Sequence, residues 1–280
     1  MATPEQTHYT TIEKALYQLI AAQGSINEEQ LEQLFKRLTE DTDRFNNQET
    51  IAQLQTRTLE DSIELINDRI KFIHEKITKF SHQTERVKLY FLIRSAGAIT
   101  SDSDNTNGSG SSQGLNTLPF TAREIGAINR LIDTIITDND PVEKFLVTGK
   151  QAIHIVGAET SYTGTQSKKF LQRLVTEGFL VQTPRDRFMI SSRSLVELQE
   201  HLIEQHSLRK EGGLINKCIA CNEIQTSGTR CPNLDCWVRL HKLCREPYQR
   251  AHGQMCPDCG TEWTSENTVF VGEMALSQNN

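Results

Sequence analysis

Seven cysteines, all of them after residue 217, constrain this 280-residue chain more than any other feature. With one histidine they run in the order Cys218, Cys221, Cys231, Cys236, His241, Cys244, Cys256, Cys259. Two residues separate Cys218 from Cys221, His241 from Cys244, and Cys256 from Cys259, a gap that lets both side chains of a pair turn towards one ion. Cys231 and Cys236 form a wider loop pair. Eight ligands make two tetrahedral sites with no position left for water, so the pattern predicts two structural zinc ions rather than a zinc-bound hydroxide. Chain order suggests cross-bracing, with Cys218, Cys221, His241 and Cys244 on zinc site one and Cys231, Cys236, Cys256 and Cys259 on zinc site two. Sequential pairing is the alternative. His252 rivals His241, but His241 has the better gap to Cys244.

Paired spacing and an odd count favour metal over cystine, and Met1 to Lys14 lacks the basic-then-apolar pattern of a secretory signal, so a reducing compartment is expected. So short a module cannot build a large core, and metal affinity must supply much of its folding free energy. Apolar runs such as Leu89 to Ile93 are too short to span a bilayer. Basic and acidic residues number 12 and 15 in residues 1–100, 12 and 13 in 101–210, and 6 and 8 beyond. No segment is a basic block, so any nucleic-acid contact would be local.

The chain ahead of the cysteines is mostly helical. Ile12, Ala15, Leu16, Leu19 and Ile20 share one face of a helix over Thr11 to Ala22, closed by Gly24. Asn27 and Gln30 suggest a capping box for a second helix carrying Leu31, Leu34, Phe35 and Leu38. Leu59, Ile63, Ile66, Ile70, Ile73, Ile77 and Phe80 step by four and three, predicting one long helix of three heptads, read chiefly as core. Val87 to Ile93 reads as a strand that opens a hairpin or wing. Residues 101–118 are rich in Ser, Gly and Asn with little to bury, and are read as a flexible insertion. After Pro119 and Thr121 a helix is expected from Ala122 to about Thr137. It is followed by a short helical segment, a helix from about Thr165 to Glu177, and a hairpin of Phe179 to Thr183 and Phe188 to Ser191. Helix, glycine-containing turn and two-stranded wing is the tail of a winged helix, a helix-turn-helix variant. A further helix over Leu195 to His206 and a hinge at Lys210 to Gly213 lead to the cysteines. The expected fold is mostly α with small β wings. Its parts are an N-terminal winged-helix-like domain over 1–100, the insertion over 101–118, a second winged helix over 119–208, the zinc module over 209–267 and a tail over 268–280.

The ligand order fits both RING and PHD zinc modules. PHD fingers commonly carry an aromatic two residues before the seventh ligand, where this chain has Gln254; RING domains favour Pro after that ligand, and Pro257 stands there. The module therefore resembles a RING variant. In RING domains a groove holds the ubiquitin-conjugating enzyme, and the matching positions here are Ile219, Trp237 and Pro257; Trp237 is read equally as module core. No residue is read as catalytic, because the reactive thioester belongs to the conjugating enzyme and a RING ligase contributes orientation. Strong RING ligases resemble one another in a cationic residue just after the eighth ligand; this chain has Gly260 and Thr261 there, which predicts weak activity without a partner.

Tandem winged-helix segments ahead of such a module resemble the non-SMC element 1 family, subunits of the SMC five-six chromosome complex. The residues that carry the likeness are Ile66, Asn67 and Ile70, the Tyr90 to Ile93 strand, the Phe120, Thr121 and Glu124 helix start, and the four-Cys, one-His, three-Cys module. The resemblance implies a nuclear, chromatin-associated RING-type ubiquitin ligase (a transferase) acting in DNA repair and recombination, with a MAGE-type winged-helix subunit, a kleisin and a ubiquitin-conjugating enzyme as partners. Two other functions fit the same residues. Lys168, Lys169, Arg173, Arg185 and Arg187 lie on the last helix and wing of the second winged helix, and residues 160–193 carry six basic against two acidic side chains. Such a patch suits weak, sequence-blind DNA binding, although a solvated or protein-docking face is the stronger reading. A PHD-like histone reader is the other, disfavoured by Gln254.

Overall fold

Five of the described helices begin with the same local device, a threonine whose hydroxyl accepts the third helical N–H while the side chain at that third position accepts the threonine N–H. The pairs are Thr10 with Glu13 for α1 (Thr11–Gln23), Thr58 with Asp61 for α3 (Leu59–Ile70), Thr121 with Glu124 for α4 (Ala122–Thr137), Thr148 with Gln151 for α5 (Gly149–Thr160), and Thr163 with Gln166 for α6 (Gly164–Thr176). Each contributes about 1 kcal/mol and fixes where its helix starts. At α2 (Glu28–Glu40), Asn27 accepts from Glu29 N at 2.9 Å. The computed structural model describes residues 9–40, 56–81, 83, 87–94, 120–138 and 142–278. The insertion expected over 101–118 and the helix lead-in at Pro119 lie outside them.

Contacts divide the chain into two units, residues 1–82 with 87–107, and residues 83–86 with 108–280. In the first, Ile12, Leu16 and Ile20 of α1 meet Leu31 and Phe35 of α2 and Leu59, Ile63, Ile66 and Ile70 of α3 in one core. Strands β1 (Ser25–Asn27), β2 (Glu75–Ser81) and β3 (Lys88–Arg94) form an antiparallel sheet in the order β1-β3-β2. Helix, strand, two helices and a hairpin make a winged helix. The three-heptad helix expected over Leu59 to Phe80 is corrected: α3 ends at Ile70, tightens into a 3-10 turn over Lys71–Ile73, and reverses at His74, whose φ is +57°. Ile77 and Phe80 belong to β2, so the Val87 strand closes a hairpin rather than opening one. Tertiary pairing overrides the heptad. Seven register pairs join β2 to β3, and the Asn67 carboxamide accepts from Ile77 N at 2.6 Å and donates to Ile77 O at 2.9 Å, binding the new strand back onto the helix.

The second unit opens with the same plan. Helices α4, α5 and α6 pack Ile128, Leu131, Ile135, Val156, Phe170 and Leu174 against Phe188 and Ile190, under the sheet β4-β6-β5 (Val147–Thr148, Arg187–Ile190, Leu180–Gln182). The helix expected over Leu195 to His206 is two, α7 (Ser192–Glu197) and α8 (Gln199–His206), with the hydrogen-bond ladder handed over at Leu198.

Lys210 to Gly213, expected as a hinge, form an ordered turn. That turn is pinned by Arg209 N to Ile215 O and Leu214 N to His206 O, 2.8 and 2.9 Å. Residues 268–280, expected as a tail, hold β9 (Val269–Val271), which pairs with β7 (Gly228–Arg230) beside β8 (Arg239–Leu240), and a short α10 (Ala275–Gln278). Glu273 then accepts from Thr183 and Arg187 of the wing, at 3.0 and 3.3 Å.

One buried carboxylate ties the winged helix to the zinc module. Glu143 Oε1 receives Arg239 Nη2 at 2.6 Å and Arg230 Nη1 at 2.7 Å, while Oε2 receives Arg239 Nε at 2.9 Å and Asn216 Nδ2 at 3.1 Å. Burial pushes the Glu143 pKa up, but hydrogen-bonded Arg239, with the charges of Arg230 and Arg209, holds it below the usual carboxylate range. Its folded pKa thus lies below the unfolded one. The stabilisation is present above the unfolded value and lost as pH falls through the folded one. Removing one member of a buried pair strands the others, so Glu143→Ala is expected to cost about 3–5 kcal/mol at pH 7, with the gap to wild type closing below about pH 4. Both tryptophans of the chain, Trp237 and Trp263, lie in the zinc module, so denaturant unfolding followed by their fluorescence reads this directly. Equal midpoints at pH 7 would show the joint to be dispensable.

Candidate metal centre

Each cluster is assembled from a tight turn and a partner segment. Cys218 N donates to Glu223 O at 2.9 Å and Asn222 N to Cys218 O at 2.8 Å, with Asn222 at φ +61°. Cys256 N donates to Thr261 O at 2.9 Å and Gly260 N to Cys256 O at 3.0 Å, with Gly260 at φ +68°. The two turns share one geometry: four residues after the leading cysteine the backbone enters the left-handed region, which closes the loop and turns both sulfurs inward. Gly260 thus has a conformational reason to be glycine. The remaining ligand candidates come from the β7–β8 loop, Cys231 and Cys236, and from the N-terminus of α9 (Lys242–His252), His241 and Cys244.

The structure brings Cys218, Cys221, His241 and Cys244 together in one group and Cys231, Cys236, Cys256 and Cys259 in another, with the donor atoms of each group within 4.8 Å of one another. The groups interleave along the chain. All seven cysteines are free thiols. A zinc ion with Zn–S near 2.3 Å sets sulfurs about 3.8 Å apart on a tetrahedron. The Sγ atoms of Cys231 and Cys259 are 3.5 Å apart and those of Cys236 and Cys256 3.6 Å, while His241 Nδ1 lies 3.3 Å from Cys221 Sγ and 3.9 Å from Cys244 Sγ. The opposite ring nitrogen, Nε2, stands 3.3 Å from Ile224 O, which orients the ring with Nδ1 towards the sulfurs. Donor chemistry and spacing both fit zinc, and the two clusters can hold two zinc ions. His252 belongs to neither; its ring lies on Tyr248, 4.5 Å between centroids.

The thiols compete for charge. Hydrogen bonds from Cys221 and Cys244 drive the Cys218 pKa down, whereas the bond to Cys218 drives Cys221 up. In the second cluster burial pushes Cys231 up to about 11, while hydrogen bonds at Thr261 bring exposed Cys259 down to about 6. Favoured thiolates crowded among reluctant thiols suit a divalent cation.

The other sequence-predicted residues are scattered. Ile219 and Trp237 pack half-buried against the cluster core, Pro257 is exposed, and Lys210 Nζ sits 5.2 Å from the Trp237 ring centroid. Of the five basic residues, Lys168 and Lys169 are exposed on α6, but Arg173 is engaged by Glu177 at 2.7 Å and Glu124 at 3.8 Å and covers the Phe120 ring. Arg187 pairs with Glu273, and exposed Arg185 reaches Ser277 Oγ at 3.4 Å. Sequence reasoning passed over Glu143, Arg230 and Arg239, which bind the module to its neighbour; the available signal was a pair of arginines placed among zinc ligands. It also passed over the exposed apolar Leu234 and Met255, which flank second-cluster cysteines.

A tandem of winged helices followed by a module with two interleaved Cys/His clusters defines a winged-helix protein with a RING-like zinc platform. The family model described as "Nse1 non-SMC component of SMC5-6 complex" matches residues 13–198, and that of a "RING-like domain" matches residues 218–263. The first covers about two thirds of the chain, and the chain belongs to the Nse1 family. A curated relative, the non-structural maintenance of chromosomes element 1 homolog of Drosophila melanogaster, is 25% identical over 156 residues, 55% of this chain and 61% of the relative. A chain of a solved Nse1-Nse3-Nse4 complex superimposes with a TM-score of 0.66 over 91% of this chain and 97% of that one; at 15% identity this speaks for the fold.

Chelation under mild conditions is expected to release two zinc ions per chain and shift the Trp237 and Trp263 emission, while most of the helical circular dichroism persists. Cys231→Ser should lower the content to one. A dye titration finding two ions in that variant would break the second cluster's ligand set.

Proposed function

We propose that the chain is the RING-bearing scaffold of an SMC five-six-type complex, with the residues of the two clusters as zinc ligands and the module as a docking platform for a ubiquitin-conjugating enzyme. The observation that carries this reading is the interleaved pair of closed Cys/His clusters inside a RING-like module whose surface presents Ile219, Trp237 and Pro257. With four protein donors to each ion there is no open position for hydrolysis, so the module acts by positioning. The acyl group moves from the conjugating enzyme's thioester sulfur to a substrate amine, and the platform restricts the two to reactive geometries.

Family membership, and the fold shared with a chain of the Nse1-Nse3-Nse4 complex, support a MAGE-type subunit and a kleisin as partners, and with them a nuclear, chromatin-associated role in DNA repair and recombination. Lys210 over the Trp237 ring partly covers the proposed groove, and Gly260 stands where strong ligases carry a cation. Both features favour low activity of the isolated chain. A second reading, weak DNA contact through Lys168, Lys169 and Arg185, is supported by their exposure, but Arg173 and Arg187 are committed to ion pairs within the unit.

Reconstitution with a MAGE-type subunit and candidate conjugating enzymes tests the groove. Ile219→Ala with Pro257→Ala is expected to reduce ubiquitin discharge at least tenfold with zinc content unchanged. Full activity in that double variant would sink the groove assignment, and no discharge by the wild-type complex with any conjugating enzyme would sink the ligase reading while leaving complex membership intact.

A further inference from the structure

The first winged helix carries an apolar groove at the edge of its core. Tyr9, just ahead of α1, and Tyr17 on α1 form one wall; Ile70, Phe72 and Ile73 form the other, and the space between them is about 440 Å³. Phe72 is 78% exposed, and its position follows from the backbone. Where α3 tightens into the 3-10 turn and reverses at left-handed His74, the turn is held between a helix whose Ile70 is buried and a strand paired along its length, so Phe72 points outward. A large aromatic left in water at a constrained turn is a surface built for contact.

The charge around the groove says what kind of contact. Lys14 and Arg69 stand exposed on its rim, with Arg69 lying 5.5 Å from the Tyr9 ring centroid. The nearby carboxylates are turned inward or neutralised. Glu13 is fully buried against Arg57 and Ser62, Glu75 is buried and receives the Tyr17 hydroxyl at 2.8 Å, and Asp68 pairs with Lys71 at 3.2 Å. An aromatic floor between two cations is complementary to an apolar anchor flanked by acidic residues.

We propose that this groove docks an acidic amphipathic helix of a partner protein, with an aliphatic or aromatic side chain of that helix seated between Tyr17 and Phe72 and its carboxylates facing Lys14 and Arg69. It extends the subunit reading above to a second contact surface, remote in sequence from the zinc module. It also fails separately from that reading, because the test needs no other subunit.

The probes are two synthetic helical peptides of 20 residues with the same leucine stripe, one flanked by glutamate and the other by lysine, titrated by fluorescence anisotropy against the full chain. The glutamate peptide is expected to bind at least tenfold more tightly at low salt, to weaken with added salt, and to be lost with Phe72→Asp. The double variant Lys14→Glu with Arg69→Glu should reverse the preference. All three side chains are exposed, so these variants should keep the wild-type melting curve, which serves as the folding control. Equal binding of the two peptides, no binding of either, or binding indifferent to Phe72→Asp would overturn the proposal.

Discussion

The pairing of Glu143 with Arg239 decides how the second unit is put together. Among the described residues Arg239 is the largest of the fully buried side chains, and its guanidinium also donates to the carbonyls of Cys236 and Val238, at 2.6 and 3.0 Å. Buried ion pairs of this kind are poor sources of net stability, because desolvation consumes most of the attraction, but they tolerate very few alternative arrangements. Here the arrangement fixed is the register between a winged helix and a metal module. The same carboxylate also meets Arg230, so one Glu143 faces more positive charge than it carries.

The wing of the second winged helix shows what that register does. In a DNA-reading winged helix the wing is left open to the duplex. Here it is held by the chain's own end, through Glu273 on Thr183 and Arg187 and Ser277 beside Arg185. A wing engaged from within is suited to bracing a neighbouring module, and the basic residues that suggested nucleic acid are in part the counter-ions of that brace.

The clusters were legible in the sequence because metal chemistry leaves short-range marks: pairs two residues apart, a histidine within the same rule, and a chain order that interleaves. The helix starts left a comparable mark, a threonine followed three residues later by Glu, Asp or Gln, but only Thr121 is read as preceding a helix, and at Asn27, where a capping box with Gln30 is expected, the bond comes from Glu29 N. What the sequence concealed depends on distant partners. Ile73, Ile77 and Phe80 continue a heptad that the backbone abandons, since the seven-pair ladder to β3 and the Asn67 clamp outweigh local periodicity. Glu143 lies in an unremarkable stretch and becomes central only because Arg230 and Arg239, roughly ninety residues away, fold onto it. Residues 268–280 read as a tail, and their strand emerges only through its pairing with β7.

That last pairing bears on how shortened forms of the chain should be judged. All eight Cys/His positions precede residue 260, yet the strand that completes their sheet and the glutamate that grips the wing come after it. A product ending just beyond Cys259 would retain a full complement of ligands and the Glu143–Arg239 joint while lacking β9 and the Glu273 contact that holds the wing. For this architecture, a correct zinc count measures the presence of the platform and says nothing of whether the wing beside it is still held.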